Sequence, residues 1–389
     1  MIHAVDTISP LRRQFQTRNE LFATYMARHA AALARVCLKM SQRFSRGGRL
    51  LTLGLGPYST DAQHVAVEFM HPIIVGKRAL PAVDLSHCPS ALAALARPDD
   101  IVMGFGPPRG AADLEELLAP AAACESLVCR WPGQLDDVPL APATDDPFIH
   151  QEITELMYHT LWETVHVFFE QQGRGEDVGA SAFLYPFLAQ GDRSVEATLA
   201  DVAASIEQKA AEDTRLRQRF VAEQAEQFAA VASATQERID AGGALIVFGN
   251  GGSATDANDF VLDCLGGDRG TIPAISLSMD PAVLTAIAND VGVEVAFSRQ
   301  LIAVGRPQDV AIAISTSGKS KNIALALSEA RKRSMMTIAL LGYDGGDIVR
   351  DRLADHVLVV RSDYVPRIQE VQASIYHVLR SSLVGSGVR

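Results

Sequence analysis

The chain has 389 residues, of which 48% are hydrophobic and 21% charged, and its net charge is −11 at pH 7. This composition is ordinary for a globular protein with a full core, and the length predicts two or three domains rather than one. The acidic balance argues against nonspecific binding to nucleic acid or acidic membranes, because both require basic patches.

No run of about 18 apolar residues occurs, and the amino terminus has no apolar segment after a basic start. We therefore expect neither a membrane helix nor a secretory signal. The five cysteines are scattered, and none of them shows the paired spacing of a structural zinc site. These features predict reduced thiols and a cytoplasmic protein.

In chain order, residues 11–46 carry apolar side chains at helical spacing. The segment GGRLLTLGLGPYSTDAQHVAVEF (Gly47 to Phe69) then reads as a glycine pair, an apolar strand, a glycine-rich turn and the start of a helix. LPAVDLS and IVMGFGPPRG follow as two further strands, and QEITELMYH begins a later helix. Alternating strands and helices imply a parallel sheet with helices on both faces.

The same order of elements returns in the second half of the chain. Residues 194–241 are predicted to be helical, and GGALIVFGNGGSATDANDFVLDC (Gly242 to Cys264) matches the first segment without a gap at an offset of 195 residues. IPAISLS, VAIAISTSGK and QEVQASIYH match the three later blocks. Four matched blocks in one order indicate a duplicated domain. The predicted ranges are 1–170 for the first copy, 171–193 for a linker and 194–389 for the second copy.

With FGNGGS, the ISTSG turn and RIQEVQASIYH in this order, the second copy resembles the sugar isomerase (SIS) domain family, and within it the sedoheptulose 7-phosphate (phosphoheptose) isomerases. The first copy resembles the family weakly, as a diverged SIS domain. The resemblance implies an α/β fold of two tandem domains. Each would be a five-stranded parallel sheet between helices, in a flavodoxin-like three-layer arrangement with a helical segment in front. It also implies phosphosugar binding and assembly into homo-oligomers.

The second copy carries the residues of an anion site at the ends of its strands. Hydroxyls and backbone N–H groups at a helix amino terminus bind phosphate through hydrogen bonds and the helix dipole. One capping hydroxyl would satisfy a helix, whereas ISTSGKS supplies four. The predicted substrate-binding residues of the two loops are Asn250, Gly251, Gly252, Ser253, Ser315, Thr316, Ser317 and Ser320. The equivalent first-copy turn, GFGPPRG, has no hydroxyl, and its two prolines remove two donors, so we expect its phosphate cradle to be lost.

Aldose–ketose isomerisation needs an acid and a base that act near pH 7. The resemblance implies that a His and a Glu four residues apart, and a Gln and a His eight apart, supply these groups and in some members hold zinc. A spacing of four puts the first pair on one helical face. The first copy keeps all four types as His64, Glu68, Gln151 and His159. At the corresponding positions the second copy has Asp259, Asp263, Gln369 and His377.

Two explanations of this division stay open. Groups from both copies meet in a composite site, or the second copy isomerises with Asp263 and His377 while the first retains only a metal site. The second explanation is slightly favoured, with Glu68 and His159 as the alternative catalytic pair. The proposed ions are zinc at the four first-copy residues or, less favoured, at Asp259 and Asp263. No nucleotide cofactor is expected.

Two further positions bear on the sugar site. Asp290, in an Asn-Asp pair, corresponds to a family residue near the sugar, and Pro366 stands where closer relatives have an Asp. The first function hypothesis is a phosphosugar isomerase acting through an enediol. The alternative is a phosphosugar-binding regulatory or scaffold protein without turnover, which the Asp substitutions and Pro366 favour. The sequence also predicts a homo-oligomer, a dimer that mimics a four-domain assembly. It does not identify the sugar or the pathway.

Overall fold

The structure is a computed structural model that describes residues 8–72, 77–172, 195–266 and 270–385. By their contacts, the residues form two compact units. The first unit is Glu20–Thr214, and the second unit is Arg215–Arg389 together with Met1–Asn19. Most of the predicted linker, with its apolar SAFLYPFL segment, lies outside the described residues.

Both predicted leading helices are present as long helices. These are α1 (Ile8–Ser45), which precedes the first strand in the chain, and α6 (Val195–Asp240), which follows the strands of the first sheet and precedes those of the second in the chain. Residues 8–19 belong to the second unit, where Phe15 is buried with its ring 5.6 Å from that of Phe220. Residues 195–214 belong to the first unit, whose core includes Ile206. Each long helix therefore begins in one unit and ends in the other, so the second unit is made of two separate stretches of the chain.

The first unit continues from α1 with helices and strands in alternation. They are β1 (Leu50–Gly54), α2 (Ser59–Met70), β2 (Ala82–Asp84), α3 (Ala91–Leu95), β3 (Ile101–Phe105), α4 (Ala112–Ala123), β4 (Leu127–Trp131), β5 (Gly133–Leu135), β6 (Val138–Leu140) and α5 (Pro147–Gln172). The six-stranded sheet has the order β2-β1-β3-β4-β5-β6.

The prediction of five parallel strands is wrong for the first unit. Its first four strands pair in parallel, but β5 and β6 are antiparallel. Only Asp136 and Asp137 separate β5 from β6, and Asp136 has a φ of 56°. A two-residue loop with a left-handed residue makes a hairpin, whereas a parallel return needs a crossover of a dozen residues or more.

The second unit follows the predicted order of elements. They are β7 (Leu245–Gly249), α7 (Gly252–Leu265), β8 (Ala274–Ser276), α8 (Pro281–Asp290), α9 (Ala296–Val304), β9 (Val310–Ser315), α10 (Lys321–Lys332), β10 (Met336–Gly342), α11 (Gly346–Arg350), β11 (His356–Val360) and α12 (Val365–Ser382). All five strands pair in parallel in the order β11-β10-β9-β7-β8. The predicted five-stranded parallel sheet is confirmed here.

Alternating side chains of the strands fill a core on each face of the sheet. On β7, Leu245 and Val247 join one buried cluster, and Ile246 and Phe248 join another. The two faces alternate because successive strand residues point to opposite sides. A sheet covered on both faces is the arrangement in which purely parallel strands occur. None of the described helices is both long and apolar enough to cross a membrane.

Candidate active site

A crevice forms at the carboxyl ends of β7 and β9, which are neighbours in the second sheet. The chain leaves β7 towards β8 on one side, and returns as β9 on the other. Ligands of open parallel sheets bind where the direction of the strand order reverses in this way. The loops that follow Gly249 and Ser315, both predicted to contact substrate, therefore share one crevice.

The glycine-rich turn leads directly into α7. Gly251 precedes the helix with a φ of 57°, a conformation that residues with a side chain rarely adopt. Gly252 opens the helix, and Ser253 is buried in its first turn. The side chains of Asn250 and Asn322 exchange two hydrogen bonds of 3.0 and 2.9 Å. Asn322 lies in the first turn of α10, so this pair ties the starts of the two helices together.

The ISTSG turn packs against a second loop of the same unit. Gly318 has a φ of 61°, and a Cβ there would lie 2.1 Å from the carbonyl oxygen of Gly345. Ser315 Oγ accepts a hydrogen bond from the Gly318 amide at 3.1 Å, and Ser317 Oγ accepts one from the Lys319 amide at 3.2 Å. The loop is therefore held in its curled shape by its own hydroxyls.

Ser320 stands at the N-cap of α10, where a capping role was the competing interpretation. Among the residues that the structure describes, the first turn of α10 donates no hydrogen bond to the Ser320 hydroxyl. Thr316, the remaining hydroxyl of the loop, is partly exposed. The loop thus combines hydroxyls with the positive end of a 12-residue helix.

A polar cavity of about 640 Å³ adjoins this loop on the side of β10 and β11. It includes two serines, two aspartates and three cationic side chains. Its lining residues are Arg219, Ser317, Lys319, Tyr343, Asp344, Arg361, Ser362 and Asp363. The three cationic side chains exceed the two aspartates by one charge, and both arginines also form ion pairs with Glu223.

Deeper in the second unit, α7 and α12 bring two carboxylates to one imidazole. His377 Nε2 lies 3.0 Å from Asp263 Oδ2 and 3.3 Å from Asp259 Oδ2. All three side chains are buried. Burial, and then the charge of Asp259, raise the pKa of Asp263 to about 7, against the opposing effects of His377 and Arg380. A carboxyl group with this pKa can both take and return a proton near neutral pH.

Sequence reasoning missed Tyr376 as part of this cluster. Its Oη donates a 2.8 Å hydrogen bond to Asp259 Oδ2, and its ring packs against the ring of Phe260 at 5.5 Å. The repeated Tyr-His pair, Tyr158 with His159 and Tyr376 with His377, was the available signal. A repeat cannot by itself say which carboxylate the phenol contacts.

The first unit builds a different cluster at the corresponding place. His64 lies on α2 and His159 on α5, with their Nε2 atoms 3.4 Å apart. Glu68 Oε1 is 3.8 Å from His64 Nε2. Glu155, which sequence reasoning missed, brings a carboxylate oxygen to within 4.8 Å of both imidazole nitrogens. It precedes His159 by four residues, the spacing that places two side chains on one helical face.

The structure gives the positions of three more predicted site residues. Gln151 Nε2 donates to Thr60 Oγ1 at 3.1 Å. Gln369 is buried in α12, the helix that also carries His377. Asp290 ends α8 and accepts a 2.8 Å hydrogen bond from Asn289 at an exposed position.

The first-unit turn GFGPPRG begins no hydroxyl-rich helix. α4 starts after Ala111, and among the described residues no side chain caps it. Arg109, the remaining cation of the turn, lies 3.5 Å from the exposed carboxylate of Asp145. The loss of a phosphate cradle in this copy stays a prediction.

Comparison with known proteins finds relatives of the carboxy-terminal part. Residues 210–342 match the SIS domain family. The phosphoheptose isomerase of Helicobacter pylori (strain P12) is 45% identical over 146 residues, which are 37% of this chain and 75% of that protein. The phosphoheptose isomerase of Sulfurimonas denitrificans is 45% identical over 150 residues, 37% of this chain and 76% of that protein.

Solved structures extend the likeness to the whole fold. The C-terminal domain of glucosamine-fructose-6-phosphate aminotransferase from Francisella tularensis aligns with a TM-score of 0.61, over 96% of this chain and 94% of that one. Its sequence identity is 9%, so this likeness supports the fold alone. It agrees with two α/β domains in one chain.

Proposed function

Because this chain belongs to the phosphoheptose isomerases of the SIS-domain family, we propose that its second unit interconverts the aldose and ketose forms of a sugar phosphate. The proposed substrate class is that of sedoheptulose 7-phosphate. The observation that carries the proposal is the 3.0 Å approach of Asp263 to His377 in the same unit as the ISTSG loop. A phosphate anchor and an acid–base pair are the two parts that such a reaction needs.

The phosphate group would bind at the crevice between α7 and α10. The hydroxyls of Ser253, Ser315, Ser317 and Ser320 are the proposed donors, together with the amides at the start of α10. Backbone N–H groups and the helix dipole favour a dianion there. Binding energy at this remote group would position the carbonyl end of the sugar for reaction.

The chemical step moves one proton between neighbouring carbons. In the proposed mechanism, the Asp263 carboxylate removes the proton from the carbon beside the carbonyl group. The C–H electrons form the C=C bond of an enediol while the π electrons of the carbonyl group move onto its oxygen, which is protonated through His377. The same proton then returns to the adjacent carbon. His377 moves the hydroxyl proton from one oxygen to the other, so no other reagent is consumed. With a pKa of about 7, Asp263 is about half ionised at neutral pH.

Zinc is a proposal of its own, and the two clusters suit it differently. Asp259, Asp263 and His377 offer two carboxylates and one imidazole. His64, Glu155 and His159 offer two imidazoles and one carboxylate. Zinc binds nitrogen donors readily, so the first unit is the better fit. A bound ion near the substrate would polarise its carbonyl group, but the proton transfers above need only the side chains of the second unit.

Binding without turnover is the second candidate function. Asp259 in place of a His, the shorter carboxylate of Asp263 in place of a Glu, and Pro366 in the first turn of α12 favour it. An aspartate oxygen is about 1 Å or more further back than that of a glutamate, and catalysis is sensitive to such distances. A phosphosugar sensor would need only the residues that bind the phosphate group, which we assign to the ISTSG loop and the start of α7.

One assay separates the two functions. The full chain is incubated with sedoheptulose 7-phosphate and a panel of other aldose and ketose phosphates, with and without EDTA, while product and melting temperature are followed. We expect turnover that falls at least about 100-fold in Asp263→Asn but persists in Glu68→Gln. Thermal stabilisation without turnover would support the sensor instead. Turnover lost in Glu68→Gln and kept in Asp263→Asn would move the chemistry to the first unit.

We also propose that the chain is a homodimer. Two domains per chain allow a dimer to place four SIS domains around a twofold axis. The chain has a mass of 41.8 kDa, so light scattering should give about 84 kDa, whereas a monomer would contradict the proposal.

A further inference from the structure

A buried arginine joins α12 to the end of α7. Arg380 is 1% exposed and lies on α12, three residues after His377. Its Nε donates a 2.8 Å hydrogen bond to the backbone oxygen of Asp263. Its Nη2 donates to the backbone oxygens of Gly266 and Gly270 at 2.9 and 2.7 Å. One guanidinium group therefore binds three carbonyl groups at the end of α7 and in the segment that follows it.

The carboxyl end of a helix suits this cation. The last four carbonyl groups of an α-helix have no partner within the helix, and the helix dipole places partial negative charge there. Asp263 lies in the last turn of α7, and Gly266 is its C-cap. A guanidinium carries five N–H donors in a fixed, planar fork, so it binds several oxygens in one defined arrangement. The contacts of Arg380 therefore fix α12 against the end of α7.

The same two helices carry the proposed acid–base pair. His377 Nε2 lies 3.0 Å from Asp263 Oδ2, and Arg380 binds the main chain of that same aspartate. A spacing of three residues places His377 and Arg380 on one face of α12. Helix α12 therefore meets Asp263 at two points, at its carboxyl group through the imidazole and at its backbone through the guanidinium.

We propose that Arg380 is a positioning residue, which holds the main chain of Asp263 so that its carboxyl group faces His377. This inference rests on the isomerase reaction proposed for the second unit. Catalysis is sensitive to displacements of about 1 Å, so loss of the three backbone contacts should slow the chemical step. Binding of the phosphate group should persist, because the ISTSG loop belongs to β9 and the start of α10.

The first unit has no arginine at the corresponding position. The offset that aligns His159 with His377 aligns Trp162 with Arg380. Trp162 is buried as well, but an indole has a single N–H donor and no charge. The three-carbonyl contact is therefore a feature of the copy in which we propose the chemistry.

Steady-state kinetics of the full chain with sedoheptulose 7-phosphate test the role of Arg380. Arg380→Met removes the donors but keeps a long side chain, and we expect kcat to fall at least about tenfold while KM stays within about twofold. Arg43→Met is the matched control, and its kcat and KM should be unchanged. This first-unit arginine also donates to three backbone oxygens, those of Pro98, Asp100 and Glu125.

A conservative variant separates position from charge. Arg380→Lys keeps the positive charge but offers all its donors from one atom, so its kcat should also fall, by less than in Arg380→Met. It decides the question where Arg380→Met does not fold. Wild-type kcat in Arg380→Lys would show that charge alone suffices and would overturn the positioning role, as would a raised KM with an unchanged kcat in either variant.

Hydrogen–deuterium exchange provides a readout that needs no substrate. The Gly266 amide donates to the Leu262 oxygen at 3.1 Å, and it and its neighbours at the end of α7 should exchange faster in Arg380→Met than in the wild type. In Arg43→Met they should exchange as in the wild type. Unchanged exchange in Arg380→Met would overturn the proposal. A wild-type chain without turnover would contradict the proposed reaction, whereas faster exchange in the variant would still support the hold of Arg380 on α7.

Discussion

His377 Nε2 lies 3.0 Å from Asp263 Oδ2, so the imidazole of one helix directly faces the carboxyl group of another. The pair is buried, and a second carboxylate, that of Asp259, lies 3.3 Å from the same nitrogen. Burial raises the pKa of one of the two carboxyl groups, and the like charge of the other raises it further. Asp263 is that group, which makes the reaction and the stability depend on pH.

The pH dependence of turnover should follow Asp263. Burial and the charge of Asp259 raise its pKa to about 7, and the base must be ionised to remove a proton. We expect kcat to increase through pH 7, tenfold for each pH unit below the midpoint. The measurement is a pH profile of kcat between pH 5 and 9 with a saturating sugar phosphate. A flat profile across pH 5 to 8 would contradict the assignment.

The same shift should make the fold less stable as pH rises. The folded pKa of Asp263, about 7, lies above its unfolded value of 3.8, so the folded state holds the proton more tightly between these values. Its contribution is present in full below the unfolded pKa, and it is lost as the pH rises through the folded pKa. Between pH 5 and 8 the loss is up to about 3 kcal/mol.

Urea unfolding of the wild type and of Asp263→Asn at the two pH values isolates this effect. The neutral amide cannot ionise, so the variant should lose less of its free energy of unfolding than the wild type between pH 5 and 8. Equal losses in the two proteins would show that Asp263 does not ionise with a raised pKa.

Tyr376 should set the midpoint of the rate profile. Its Oη donates to Asp259 Oδ2 at 2.8 Å and so stabilises the charge that raises the pKa of Asp263. Tyr376→Phe should move the midpoint of kcat to lower pH and reduce the free energy of unfolding by about 1–3 kcal/mol. Tyr158→Phe, the matched exchange in the first unit, should leave the midpoint unchanged. An unshifted midpoint in Tyr376→Phe would mean that the phenol only packs.

Loss of a loop hydroxyl should weaken substrate binding more than it slows the chemistry. Ser317 belongs both to the ISTSG turn and to the lining of the polar cavity. One hydrogen bond to a charged phosphate contributes about 1.5–3 kcal/mol, so Ser317→Ala should raise KM by about tenfold or more. Ser45→Ala, whose hydroxyl bonds to its own helix, is the control. A normal KM in Ser317→Ala would place the phosphate elsewhere.

Much of the fold can be predicted from short-range patterns in the sequence. The repeated strand–turn–helix blocks predict both sheets, and the four-residue spacing of Asp259 and Asp263 predicts that they share a helical face. The same patterns do not reveal that residues 8–19 pack in the second unit, because helical spacing says nothing about the partner of a helix end. The β5–β6 hairpin was missed because its strands have only three residues each.

The candidate site was harder to predict from the sequence, because several of its contacts join residues far apart in the chain. Glu155 lies near His64, which is 91 residues away in the chain, and Tyr376 contacts Asp259, which is 117 residues away. Both contacts join two different helices. Family resemblance pointed to the positions of four residues in each copy, and neither Glu155 nor Tyr376 was among them. Tertiary packing decides which neighbours reach each centre.

The curled shape of the ISTSG loop, where we propose that phosphate binds, should be the part of the site most sensitive to a single methyl group. Gly318 has a φ of 61°, and a Cβ there would lie 2.1 Å from the backbone oxygen of Gly345, which cannot turn away as a side chain would. Gly318→Ala should therefore raise KM for the sugar phosphate and lower the free energy of unfolding by at least about 1–3 kcal/mol. Gly110→Ala, at a first-unit turn with a φ of 74° and open space around the Cβ position, should impose the backbone strain alone and leave KM unchanged. Kinetics and urea unfolding of both variants check this, and equal KM values would show that the loop is not the phosphate site.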